Sequence, residues 1–259
     1  MDGPPLRPDL EDRVRSMYEL VANFPQQQFH FDTGRALAER LGYPAVVLDR
    51  VPAEAVVSFA GVGYFHDLAA LRPGERVLDL GSGSGMDSFL AALDVGPSGS
   101  VIGVDLTPAQ VEKARRLWEQ LATEEIGSVQ FREGRIEDPG VPDGSIDCVI
   151  SNGVINLVPD KARAFAAVAR ALRPGGRLAV ADIVSGVQLP DTVTCDASLW
   201  AACIGGAMQQ ESFLDALTAA GLRVETVRPN DAYRFLSARA VKATSKYGVT
   251  SISVLAVRT

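Results

Sequence analysis

The sequence predicts an α/β fold: a mostly parallel sheet covered by helices, with an antiparallel addition at its end and a helical cap before it. Three observations point there. Strand-like runs at 75–80, 100–105, 128–132, 146–151 and 177–182 alternate with helical periodicity at 85–94, 108–122, 160–172 and 210–220. Such alternation builds a parallel sheet between two helix layers. After Gly221 it stops: 224–227 and 252–257 read as strands joined by a long excursion with no clear helix, which implies antiparallel pairing. Residues 1–70 carry helical patterns but too few strands for a sheet of their own. The expected division is a helical cap or lid at 1–70 and the main domain at 71–259, with 183–209 an insertion that forms a substrate wall.

The elements follow in order. Pro4, Pro5 and Pro8 make the start irregular. Between Leu10 and Val21 the side chains Val14, Met17, Tyr18 and Val21 share one helical side, and Phe24-Pro25 ends that helix. Thr33 reads as the N-cap of a helix through Leu41, closed by Gly42 and Pro44. A smaller helical piece precedes 56–63. In the main domain, Thr107-Pro108-Ala109-Gln110 reads as an N-cap, a proline at the first helical position and a capping-box glutamine. Pro174-Gly175-Gly176 stops the helix before the strand at 177. The polar stretch 183–209 leaves the carboxyl end of a strand, and a long loop there is usually functional.

Composition removes several function classes. With 259 residues, 47% of them hydrophobic, the chain can bury one large core. Its net charge is −7 and no Lys/Arg-rich face stands out, which argues against nucleic acid. No apolar run approaches the roughly 20 residues of a membrane helix, and the start Met1-Asp2-Gly3-Pro4-Pro5 does not read as a signal peptide. Cys148, Cys195 and Cys203 form neither a metal-type spacing nor a disulfide framework. No metal site is expected, and a reducing cytoplasm is the expected compartment.

The chemistry concentrates in Val77-Leu78-Asp79-Leu80-Gly81-Ser82-Gly83-Ser84-Gly85. An apolar strand runs into three glycines, and Met86, Phe89, Leu90 and Leu93 then mark one face of a helix. Glycines at such a turn allow positive φ and a close approach of ligand to backbone. The dinucleotide fingerprint needs a sixth-position glycine; Met86 stands there. Asp105 follows Gly85 by 20 residues, where a carboxylate can accept from both hydroxyls of a ribose. Two acids, with no Lys or Arg in the loop, argue against phosphates. They suit a cofactor carrying an adenosine ribose, an ammonium and a positive sulfur.

These residues resemble the Rossmann-like, seven-strand S-adenosylmethionine-dependent methyltransferases, whose antiparallel last strand matches the expected ending. The resemblance implies S-adenosyl-L-methionine as cofactor, with Asp79 facing its ammonium or capping the following helix. Gly81, Ser82 and Gly83 form the backbone floor, Asp105 takes the ribose, and Leu106 and Ile136 lie against adenine. Glu137 or a backbone amide pairs with the exocyclic amine. Gln110, Arg135 and Asn152 complete the expected cofactor wall.

Three further stretches are closer to one group within that class. Ser58-Phe59-Ala60-Gly61-Val62-Gly63, then 151–161 with Asn152, Val154, Ile155, Asn156, Leu157, Pro159, Asp160 and Lys161, then 202–207 with Cys203 resemble the bacterial arsenite methyltransferases over roughly residues 55–222. That group binds trivalent arsenic through cysteine thiolates, soft ligands for a soft acid. Gly153 occupies one cysteine position, residues 1–147 contain no cysteine, and only Cys203 matches a ligand position. The expected function is methyl transfer to a small organic acceptor. The alternatives are a metalloid or thiol methyltransferase, or a cofactor-binding protein that transfers no methyl. Phe31, Asn156, Trp200, Cys203 and Met208 are the expected acceptor-side residues, with Phe29 beside them. His30 and Tyr18 are the first candidates for a catalytic base, followed by His66, Tyr64, Asp182 and Glu211.

Overall fold

The structure, a computed structural model, describes residues 8–121, 125–194, 200, 204–236 and 238–259. Five helices precede the sheet: α1 (Pro8–Asn23), α2 (Arg35–Leu41), α3 (Ala45–Leu48), α4 (Ala53–Val57) and α5 (His66–Ala69). Alternation then runs through β1 (Arg76–Leu80), α6 (Met86–Val95), β2 (Ser100–Asp105), α7 (Pro108–Leu121), β3 (Ser128–Glu133) and β4 (Ile146–Asn152). A 3₁₀ turn at Ile155–Leu157 leads into α8 (Lys161–Ala171) and β5 (Leu172–Ser185). The chain continues through α9 (Asp191–Thr194), β6 (Met208–Gln209), α10 (Gln210–Ala219), β7 (Leu222–Pro229), α11 (Ala238–Tyr247) and β8 (Thr250–Arg258).

The sheet order is β3-β2-β1-β4-β5-β8-β7. β8 alone runs against its neighbours, pairing antiparallel with both β5 and β7. The two-residue β6 adds to β5 off that path, at Val184 and Ser185, so the sheet has eight strands where seven were expected. The order reverses between β1 and β4, and in open α/β sheets ligands bind beyond the carboxyl ends of the strands at such a switch point.

The strands alternate between two cores. Val77, Val101, Cys148, Ile150 and Ala179 face α6 and α7, while Leu78, Leu80, Val149, Leu178 and Val180 face α8 and α10. Burial on both faces is why β1, β4 and β5 read as continuous apolar runs. The cap is not a separate layer. Leu37, Leu48, Phe59 and Phe65 belong to the first of these cores.

Four expectations need correction. The excursion after β7 contains α11, whose inward side is Ala240 and Ala243; alanines at that spacing give little hydrophobic contrast. The N-cap of α2 is Gly34 at φ 85, without a side-chain cap, rather than Thr33. Its N–H donates to Phe59 O at 2.8 Å, so cap and loop are tied by backbone. Gln110 does not close a capping box: Thr107 N–H donates to Asp105 Oδ1 at 2.8 Å, and the Gln110 side chain is used elsewhere. β5 begins at Leu172, so Pro174 to Gly176 lie within an extended edge rather than before it.

The cap's last helix is fastened to β5 by one cation. Arg177 donates to both Glu75 oxygens, at 2.8 and 2.6 Å, and to the carbonyls of Ala69 and Ala70. Ala70 is the one non-glycine residue at positive φ among the described residues, φ 43, a conformation that costs about 1 kcal/mol. Removing the guanidinium leaves a shielded carboxylate and two carbonyls without their donor. Arg177→Ala is therefore expected to lower stability by about 3 kcal/mol in urea unfolding; a loss under about 1 kcal/mol would show that the fastening is worth no more than a surface pair.

Candidate active site

The cavity lies over the carboxyl ends of β1, β2 and β4, with α1 across its mouth. Its floor is the turn from β1 into α6, with Gly81, Gly83 and Gly85 at φ 74, 52 and 94. A Cβ on Gly81 would stand 2.1 Å from Val154 Cγ2, so only glycine lets the β4 loop close onto this turn. Gly81 N–H and Ser82 N–H both donate to Val104 O, at 2.7 and 3.1 Å.

Asp105 ends β2, half-buried in the cavity wall. Its Oδ2 accepts Gly83 N–H at 2.9 Å and its Oδ1 accepts Thr107 N–H. Burial raises its pKa, and the two backbone donors oppose that rise. Each oxygen retains a lone pair for a further donor. Asp79, 2% exposed, accepts Ser88 Oγ–H at 2.6 Å. Burial first, then the Asp87 charge, push it up to about 8, against the Ser88 bond and the His66 charge.

Of the expected cofactor-side residues, Asp79, Gly81, Ser82, Gly83, Asp105 and Leu106 line the cavity, as do Gln110, Arg135, Ile136, Glu137 and Asn152. Two act differently from expectation. Gln110 Oε1 accepts Ser84 Oγ–H at 2.5 Å while its Nε2 donates to Tyr18 O at 3.1 Å; it joins α1 to the glycine turn. The Asn152 amide is engaged with the cap, donating to Gly63 O at 3.0 Å and accepting Val62 N–H at 2.8 Å.

On the acceptor side, Trp200 lines the cavity with Phe59, Leu157, Val158 and Pro159. Phe31, Asn156 and Met208 do not form part of the lining. Phe31 stacks on Phe29, and Met208 lies in β6. The Asn156 N–H donates to the buried Asp182 carboxylate at 3.3 Å. Cys203 and Cys195 lie outside the described residues. Among the proposed bases only Tyr18 lines the cavity. The His30 ring packs edge-on against Phe31, with centroids 4.9 Å apart. Asp182 accepts Ile155 N–H and Ile183 N–H, and burial pushes it up to about 7.

Sequence reasoning passed over several wall residues. Glu11 and Arg15 join Val14 and Tyr18 in the lining; the spacing i, i+3, i+4, i+7 was a readable signal for one helical face. Arg135 donates to both Glu11 oxygens, at 2.8 and 3.0 Å. Asp87, in the first turn of α6, also lines the cavity, and nothing local marks it. No group of three or more His, Cys, Asp or Glu able to hold a metal occurs among the described residues. No helix among them is long and apolar enough to cross a membrane.

A glycine cradle at the switch point, an acid ending each of the first two strands and a reversed last strand define a class of nucleotide-cofactor enzymes built on a doubly wound sheet. Residues 71–221 match the methyltransferase domain family, and the chain belongs to that family. It is 43% identical over 200 residues to the arsenite methyltransferase of Halobacterium salinarum, covering 77% of this chain and 50% of that protein. With the arsenite methyltransferase of Aquipseudomonas alcaligenes it shares 41% identity over 172 residues, 64% of this chain and 49% of the relative. The chain thus spans about half the length of these curated relatives. Among solved structures, an arsenic(III) S-adenosylmethionine methyltransferase from Chlamydomonas reinhardtii superposes with a TM-score of 0.69 at 30% identity, over 88% of this chain and 75% of that one. A geranyl diphosphate methyltransferase shares the fold, with a TM-score of 0.67 at 18% identity, over 98% of this chain and 100% of that one.

Proposed function

We propose that the protein is an S-adenosylmethionine-dependent methyltransferase acting on a small, largely apolar organic acceptor. The cofactor fit rests on the donor set. Asp79, Asp87 and Asp105 line one cavity beside a glycine turn whose closure against Val154 leaves no room for a Cβ at Gly81. Asp105 would accept from the ribose hydroxyls, Asp79 would face the ammonium, and Leu106 and Ile136 would flank the adenine. When bound, the cofactor supplies a methyl group already activated by a sulfonium. The chain's own residues then need only orient the acceptor, exclude water and, for an acidic acceptor, take a proton. Tyr18, which lines the cavity, is the residue we assign to that last role. We further propose that α1 is a lid, held shut by Arg135–Glu11 and by Gln110 to Tyr18 O.

The observation that carries the acceptor class is the apolar wall formed by Phe59, Leu157, Val158, Pro159 and Trp200, with a glycine at position 153. At Gly153, φ 73, a side chain would point at Val62, 3.2 Å away. Cys148 is fully buried in β4, and burial pushes its thiol up to about 12, so it is no thiolate ligand at neutral pH. A second reading, arsenite or another soft acceptor, is favoured by the activity named for the relatives.

Incubation with isotope-labelled S-adenosylmethionine and a panel of apolar phenols, amines and thiols, with arsenite plus glutathione in parallel, separates the two by mass spectrometry. Label is expected in an organic acceptor. Turnover of arsenite at about 1 per second, an ordinary enzymatic rate, would favour the second reading instead.

The Asp79 pKa fixes the sign of a pH effect. A carboxyl raised to about 8 is mostly protonated at neutral pH, and only its charged form pairs with an ammonium. Affinity for the cofactor is expected to rise about tenfold between about pH 6 and about pH 7 and to level off near about pH 8, with a proton released on binding. Calorimetry in buffers of different ionisation heat measures that proton; none released, with a flat affinity, removes Asp79 from the ammonium site.

The lid latch is partly exposed, so its effect is modest. Glu11→Gln is expected to speed cofactor release about twofold in stopped-flow chase experiments. An unchanged release rate would mean that this pair does not hold α1.

A further inference from the structure

Beside the cavity, three separate parts of the chain converge on one carboxylate. Asp87 Oδ1 accepts the Tyr43 hydroxyl at 2.7 Å and lies 3.0 Å from His66 Nε2. Its Oδ2 accepts Asn152 Nδ2–H at 3.2 Å. Tyr43 and His66 come from the cap, Asp87 from α6 and Asn152 from the end of β4. Tyr43, His66 and Asp87 are 3%, 9% and 7% exposed, so the cluster is shielded from water. Asp87 and Asn152 reach the cavity wall; Tyr43 and His66 stand behind them.

The far side of Asn152 holds the wall itself. Its Oδ1 accepts Val62 N–H and its Nδ2 donates to Gly63 O. A Cβ on Gly61 would come within 2.6 Å of the Asn152 amide, so the 60–63 backbone lies directly on that side chain. Ala60 and Gly61 line the cavity beside Phe59, on the side that the proposed function gives to the acceptor. The chain of contacts therefore runs from His66 to Asp87, to Asn152, to the acceptor wall.

We propose that His66 is a positioning residue for methyl transfer, acting through Asp87 and Asn152 to fix the 60–63 segment against the cofactor floor. The proposal rests on the methyltransferase reading for its kinetic part and on the contacts alone for its structural part.

Charge explains why an imidazole sits there. Asp87 and Asp79 line the same wall, and the Asp87 charge disfavours that of Asp79. Among the groups facing His66, Asp87 and Asp94 of α6 are acids, with Asp94 Oδ2 at 3.8 Å from Nδ1. Tyr43 and Tyr64 offer rings, with centroids at 5.9 and 6.0 Å. Asp79 on β1 also contributes to the local field, and Asp67 on the same helix is paired with Arg228 of β7. Burial lowers the His66 pKa, but the bonds to Asp87 and Asp94 outweigh it and bring the group to about 9. The cation is therefore present at neutral pH. Its contribution to stability is complete below the ordinary histidine pKa of about 6.5 and is lost as pH rises through about 9.

His66→Gln removes the charge while keeping a donor of similar reach. Two readouts are needed. In the variant, kcat is expected to fall about tenfold while the cofactor dissociation constant changes less than about threefold, a positioning effect rather than a binding one. Hydrogen exchange of the Val62 and Gly63 amides, read without cofactor or acceptor, is expected to quicken about tenfold while the central strands stay protected. In the wild type the same amides should lose protection as pH rises through about 9, after correction for intrinsic exchange, and this arm needs no variant to fold. Unchanged kcat, unchanged exchange at Val62 and Gly63, or loosening spread evenly over the sheet overturns the proposal. A wild type that transfers no methyl to any acceptor refutes the enzyme reading, and the exchange data then decide the clamp on their own.

Discussion

Asp105 accepts a hydrogen bond from the turn after β1 and another from the turn after β2, through Gly83 N–H and Thr107 N–H. The two loops that form most of the cavity floor are therefore held by one carboxylate at the end of one strand. The neighbouring elements depend on that hold. Gly81 can accept the approach of Val154 only while its turn keeps positive φ, and α7 begins where Thr107 N–H is already satisfied. Gln110, one turn into α7, is then placed to hold Ser84 on one side and the α1 backbone on the other. Floor, wall and α1 share one anchoring group.

The electrostatics of the cavity follow from the same placement. Asp79, Asp87 and Asp105 come from β1, α6 and β2, far enough apart in the chain to be independent choices, and all three reach one cavity. Burying carboxylates costs free energy unless donors or cations compensate. Backbone N–H groups compensate Asp105, while a serine hydroxyl and the His66 charge serve Asp79. His66, Tyr43 and Asn152 serve Asp87. Asp79 is the least compensated, and its raised pKa records that. A ligand that brings positive charge completes the arrangement, whereas a phosphate would worsen it. The same asymmetry separates the side we propose for the ammonium from the side we propose for the ribose.

Much of this was legible in the sequence because it is local. Continuous apolar runs, glycine turns and the Asp79 to Asp105 spacing are all contained within about 30 residues, the length of one βαβ unit. The reversed strand β8 was readable because alternation stopped. What escaped was either low in contrast or distant in sequence. α11 turns alanines inward, which no hydrophobic pattern separates from a loop. Gln110 carries a capping-box signature, yet it bonds residues 26 and 92 positions away. The Asp87 cluster is built from single contacts across 21, 44 and 65 positions, and no motif in one chain announces those. His30 stood out locally between two phenylalanines, but the fold turns that segment to pack on its own rings.

Gly153 shows how far the acceptor wall and the cofactor floor are one structure. Its φ of 73 turns the chain at the end of β4, and its N–H donates to Ala181 O at 2.8 Å. That turn seats Val154 on Gly81 and leaves Asn152 aimed at the cap. A side chain at position 153 would cost about 1 kcal/mol or more in the left-handed region and would meet Val62, the residue whose N–H Asn152 holds. A β-carbon there strains the turn, and Val62 must give by a few tenths of an ångström. A thiol at this position would therefore strain the turn that seats Val154 and press on the wall that Asn152 holds. The absence of a cysteine at 153 is thus part of the cavity's architecture, not a lone substitution upon it.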